Sequence, residues 1–100
     1  MTLRHIVSWK LAETDPELNR QQRRAIADAL ETLPALIPEI LRLEVGSNIR
    51  ESDTAHDVVL VADYADEAAL DAYIVHPEHE KVAAFVRGLA ASRVSVDYLV

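Results

Sequence analysis

The sequence predicts an α+β domain in the order β-α-β-β-α-β, with four antiparallel strands in one sheet and the helices on one face. Three observations predict this. Apolar residues alternate with a period of two in three stretches and run on both faces of a fourth, they recur at helical spacing in two others, and the helical stretches follow the first and third strands. Right-handed crossovers then bring both helices to the same side of the sheet.

The first strand is Leu3 to Leu11, with Leu3, His5, Val7, Trp9 and Leu11 on one side and Arg4, Ile6, Ser8 and Lys10 on the other. One histidine therefore stands on an apolar strand face. Asp15-Pro16-Glu17 starts a helix, with a capping aspartate, proline at the first helical position and an acid in the first turn. Leu18, Ala25, Ile26, Ala29, Leu30 and Leu33 give it a single apolar side, and Pro34 and Pro38 close it. From Leu41 the period returns to two through Leu43, Val45 and Ile49, with Gly46 marking a bulge or a close backbone approach. Arg50 to His56 is a polar connection. Asp57 to Tyr64 is rich in valine and apolar on both faces, as expected of an internal strand.

Asp66 caps the next helix, which carries Ala69, Leu70, Tyr73 and Ile74. Proline 77 disfavours helical backbone at His76, so the helix breaks there and restarts at Pro77, with Val82, Phe85, Val86 and Leu89 as its second apolar stripe. The N–H groups at 78 to 80 begin that segment without intrahelical partners, a place where a polar group can be held. Arg93 to Val100 is the last strand, with Val94, Val96, Tyr98 and Val100 on one side. The pattern is a ferredoxin-like sandwich forming a single domain over residues 1–100. Helices cover only one face of its sheet, which leaves apolar residues such as Ile6 on the other, and a homodimer joined through the open sheet faces into a dimeric α+β barrel is expected.

Composition excludes several functions. Asp and Glu number 17 against 10 Lys and Arg, and a formal charge of −7 argues against nucleic acid and anionic membrane surfaces as partners. The basic run Arg20-Gln21-Gln22-Arg23-Arg24 reads as a solvated helix face. With no cysteine, disulfides and thiolate chemistry are unavailable. The N-terminus leads directly into a strand and no apolar stretch is long enough to span a bilayer, so a soluble, cytoplasmic protein is expected. His76 and His79 have the spacing of a ligand pair, but Pro77 breaks the helix between them, and neither a transition-metal site nor a cofactor is expected.

The candidate site is a cleft between sheet and helices. His5 comes to it from the first strand, and Tyr73 and His79 come from the two sides of the helix break. Trp9, Ile26, Phe85 and His76 are its candidate ligand-binding residues. At His79 the helix N-terminus opposes an imidazolium while Glu78 and Glu80 favour it; the two effects balance near the value of free imidazole.

Arg4 to Leu11, Gly46-Ser47-Asn48, Asp57 to Leu60, Leu70 to His79 and Val96-Asp97-Tyr98 together resemble the stress-responsive A/B barrel (Dabb) family over nearly the whole chain. The Tyr73-x-x-His76-Pro77-x-His79 stretch is the most specific part. The resemblance implies a dimeric α+β barrel. The family includes stress-associated plant proteins and olivetolic acid cyclase, a cofactor-free polyketide cyclase whose active-site His, Tyr and His match His5, Tyr73 and His79. The match implies His79 as general base, with Tyr73 and His5 orienting it or polarising a substrate oxygen. Two positions depart from that pattern: Ile26 stands near where the cyclase has a further tyrosine, and Trp9 is larger than its counterpart. Three functions are then open: a His-based cyclase or lyase, a non-enzymatic stress-associated protein binding a small apolar or aromatic ligand, and a cofactor-independent monooxygenase-like barrel.

Overall fold

A computed structural model describes all residues, 1–100. The elements are β1 (Leu3–Leu11), α1 (Pro16–Glu31), the short α2 (Leu33–Leu36), β2 (Arg42–Ser47), β3 (Val58–Tyr64), α3 (Glu67–Ile74), α4 (Pro77–Leu89) and β4 (Ala90–Leu99). The sheet runs β2-β3-β1-β4 and every neighbouring pair is antiparallel. This is the ferredoxin-like arrangement the patterning predicts. No helix is long and apolar enough to cross a membrane.

The three longer helices, α1, α3 and α4, each begin where a side chain takes an orphan N–H. The Asp15 carboxylate accepts from Leu18 N, and Asp66 accepts from Ala69 N. Along β1 the alternation is complete, Leu3, His5, Val7, Trp9 and Leu11 being buried against the helices. Opposite them on β3 stand Val58, Leu60, Ala62 and Tyr64, and Ile26, Leu30, Leu33, Leu70, Tyr73 and Val86 close the core from above.

Several expectations are corrected. Strand β2 ends at Ser47 because its partner begins at Val58; Ile49 lies beyond the ladder and is fully exposed, as Leu41 largely is at the other end. Gly46 sits in regular register opposite Val59, where a Cβ would come within 3.1 Å of Val59 Cγ1, so it marks a close approach and not a bulge. The irregularity lies elsewhere, between Lys10 and Leu11 where β1 meets β4. Leu18 is half exposed, and Phe85 lies on the outer side of α4, away from the core. The basic run is not simply solvated: Arg23 turns inward, donating to Asn48 O at 2.9 Å and to the Asp57 carboxylate at 2.8 Å, while Asp57 also accepts from Leu11 N.

The open face of the sheet carries Ile6, Val59, Val61, Val94, Val96 and Tyr98. Val96 is 60% exposed and Val94 56% in the single chain. Asp63, also on this side, is held by two hydrogen bonds from Arg4, at 2.8 and 3.0 Å.

Candidate functional site

A cavity of about 470 Å³ lies between the helix-facing side of β1 and helix α4. His5, Val7 and Trp9 form its floor, Tyr73, His79 and Val86 its helical wall, and the α4–β4 junction from Ala90 to Arg93 its rim. That junction has no loop: α4 ends at Leu89 and β4 begins at Ala90, beside the shifted register that turns the chain along the cavity.

Pro77 builds the polar end of this cavity. Had α3 continued, the Ile74 carbonyl would accept from the N–H of residue 78; the break leaves both groups free. Each then finds a histidine. His79 Nδ1 lies 2.9 Å from the Ile74 carbonyl oxygen, and since a carbonyl only accepts, Nδ1 carries the proton. The neutral ring therefore has its lone pair on Nε2. His76 does the reverse, its Nδ1 accepting from Glu78 N at 3.1 Å as the N-cap of α4. Glu80 N is satisfied by the His76 carbonyl, so of the N–H groups at 78 to 80, where an opening for a polar ligand is expected, those of Glu78 and Glu80 are taken by the cap.

Burial outweighs charge at His79. It holds the ring below its ordinary 6.5; the bond to Ile74 opposes this, and the charges of His5 and Arg93 reinforce it. The balance expected from the acidic neighbours gives way because only Glu80 acts on the ring appreciably.

His5, almost fully buried, is oriented from the other side of the fold. Its Nδ1 pairs with the carboxylate of Asp97, which faces it across the β1–β4 ladder. A ring fixed in this way keeps Nε2 for another partner, and none of the protein's groups takes it. Tyr73 stands between the two imidazoles, its ring centroid 6.3 Å from that of His5 and 4.3 Å from that of His79. Burial raises the Tyr73 hydroxyl above its ordinary 10.0, so it stays a donor throughout the neutral range. Tyr64 packs on the same cluster, 5.0 Å from Tyr73 by ring centroid and 6.2 Å from His5. Its hydroxyl is buried with no well-formed hydrogen bond, and desolvation keeps it protonated.

The structure thus brings His5, Tyr73, His79 and Trp9 together on one cavity. It does not bring Ile26, Phe85 or His76 there. Ile26 is sealed in the core under α1, Phe85 points outward, and the imidazole of His76 is spent on capping. Sequence reasoning missed Asp97, Arg93 and Tyr64. Period-two alternation through Val94, Val96 and Tyr98 puts Arg93, Ser95 and Asp97 on the opposite face of β4, and that polar row was the signal for the first two.

The stress responsive A/B barrel domain model matches residues 3–100. No curated protein matches. Among solved structures, a dimeric protein of unknown function and ferredoxin-like fold from Bacteroides fragilis is 29% identical, with a TM-score of 0.88 over 99% of this chain and 96% of that one. A dimeric ferredoxin-like protein of unknown function from Thermobifida fusca is 30% identical, with a TM-score of 0.83 over 100% of this chain and 92% of that one. The hydroxynitrile lyase of Passiflora edulis shares the fold, with a TM-score of 0.79 at 14% identity over 99% of this chain and 93% of that one.

Proposed function

We propose that this chain, which belongs to the stress-responsive A/B barrel domain family, binds a small apolar or aromatic molecule between sheet and helices and moves a proton on it without a cofactor, as a cyclase or lyase does. The observation that carries the reading is the pair of imidazoles on one cavity, each anchored through Nδ1 and each with Nε2 unclaimed. His79, kept neutral by burial, takes a proton from a carbon next to a carbonyl. The C–H bond breaks, its electron pair passes to the carbonyl oxygen, and the proton goes to Nε2. Tyr73 donates to that oxygen, and His5 with Asp97 orients the substrate. The working form is a homodimer, two copies joined through their open sheet faces; the dimeric relatives from Bacteroides and Thermobifida support this.

The test uses phenylacetone, whose benzylic hydrogens are activated by one carbonyl and exchange slowly in water. Binding is followed by the emission of Trp9, the only tryptophan, and exchange into D2O by NMR. The wild type is expected to bind and to accelerate exchange, and His79→Gln to bind while losing at least 100-fold of the acceleration. Binding without acceleration removes the catalytic part and leaves a stress-associated binding protein. A lack of any binding removes both parts.

A further inference from the structure

The cavity lining is basic in an acidic protein. It contains Arg87 and Arg93 and no Asp or Glu, although the chain as a whole carries a formal charge of −7. Neither arginine joins the salt bridges that engage Arg4, Arg20, Arg23 and Arg42. Neither makes a side-chain hydrogen bond. Arg93 stands directly opposite Trp9 across the β1–β4 ladder, on the helix-facing side, so its guanidinium borders the apolar wall that Trp9 and Val7 provide. The nearest acid along that row, Asp97, is committed to His5. Arg93 and Arg87 are both exposed at the rim while the histidines lie deeper. Polarity along the cavity is therefore ordered: cations at the mouth, apolar walls behind them, and proton-transfer groups at the inner end.

We propose that the ligand is a small organic acid, with an apolar or aromatic body against Trp9, Val7 and Val86 and a carboxylate held at the mouth by Arg93, Arg87 adding charge beside it. The inference rests on the functional reading above, and names the class of molecule that cavity takes. A guanidinium fork matches a carboxylate in two parallel hydrogen bonds, and a free fork at the edge of an apolar wall selects for a ligand with that group at one end. The carboxylate also fixes the ligand's direction, which sends the uncharged end toward His79 and Tyr73. A carbon acid with its own carboxylate remote from the reacting carbon would be bound in this way.

The experiment compares 4-phenylbutyrate with 4-phenylbutyramide, which share a body and differ in charge, through Trp9 emission at pH 7.5. The wild type is expected to bind the carboxylate at least tenfold more tightly. Arg93→Gln should abolish that preference and leave the amide's affinity unchanged, Arg87→Gln should reduce it by a few-fold, and Arg24→Gln, away from the cavity, should leave both affinities alone. The preference should also shrink as salt rises. Equal binding of acid and amide by the wild type overturns this inference and leaves the cavity reading intact. So does a preference that survives Arg93→Gln. Tighter binding of phenyl phosphate than of 4-phenylbutyrate overturns it in favour of a phosphate ligand, and binding of none of the probes removes the underlying functional reading with it.

Discussion

Two histidines three residues apart do different work because a proline stands between them. His76 accepts a backbone N–H and starts α4, whereas His79 donates to the carbonyl released at the end of α3. His76→Ala should therefore cost about 1 kcal/mol of stability, as loss of an N-cap does, with the affinity for 4-phenylbutyrate unchanged in the Trp9 titration; a loss of affinity at unchanged stability would reverse the assignment. The pH dependence of His79 follows from its burial. With the folded value below the ordinary 6.5, the unfolded chain takes up the proton first as pH falls. Stability is full above about 6.5, declines as pH drops from there toward the folded value, and then levels off. Urea midpoints between pH 7.5 and 5 should show this slope in the wild type and a shallower one in His79→Gln. Asp63 acts in a separate, lower window. Paired with Arg4, it is held below its ordinary 3.8, so its contribution is present above that value and lost as pH falls through the folded one. The sequence made His5, Tyr73, His79 and Trp9 legible because strand alternation and the proline break each assign a face. Tyr64 was read only as the end of an apolar strand, since nothing local shows that its hydroxyl is buried without a well-formed partner.

At the scale of elements, boundaries were read best where a side chain makes them. Asp15, Asp66 and Pro77 each perform the predicted act. Boundaries set by a distant partner were read worst. Leu41 and Ile49 continue the alternation of β2, but the paired register with β3 runs only from Arg42 to Ser47; single bonds from Leu41 N to Asp63 O and from Asn48 N to Asp57 O flank it, and Ile49 lies past the last of them. The same non-locality hid Asp97, which meets His5 only because the first and last strands pair. It also hid the Asp57–Arg23 clamp that fastens the β2–β3 connection to α1 and to the end of β1. Asp57 is 2% exposed at its side chain and Arg23 11%, so removing one partner takes the closest opposite charge from a buried group, although Asp57 keeps the Leu11 N–H and Lys10 at 3.9 Å and Arg23 keeps Glu51 at 3.2 Å. Arg23→Gln should lower stability by about 2 kcal/mol, the scale of a lost hydrogen bond to a charged group and below that of a buried charge left alone. Asp57→Asn should cost a similar amount, and the double substitution should cost clearly less than the two together. Additive losses in chemical denaturation would mean that the two side chains act independently.

Across the whole molecule, β4 joins the proposed dimer contact to the proposed ligand contact. Its open-face row, Val94, Val96 and Tyr98, is apolar and exposed, while its other row holds Arg93 and Asp97 beside the cavity. Within one chain β4 pairs only with β1, so it is an edge strand whose outward apolar row has no cover. Covering that row with a second copy buries apolar surface worth about 25 cal/mol per Å², and it also fixes the strand that positions Arg93 and Asp97. Val96→Glu sets a charge at the centre of the row without touching the core. It is expected to give a folded monomer by circular dichroism and light scattering at micromolar concentration, where the wild type is expected to be a dimer. Because the strand is then supported on one side only, the same variant should bind 4-phenylbutyrate several-fold more weakly while keeping its affinity for 4-phenylbutyramide nearly unchanged. A wild type that is monomeric at these concentrations would remove the dimer. A Val96→Glu monomer with full carboxylate preference would show that the cavity is complete within a single chain and that β4 needs no partner to hold it.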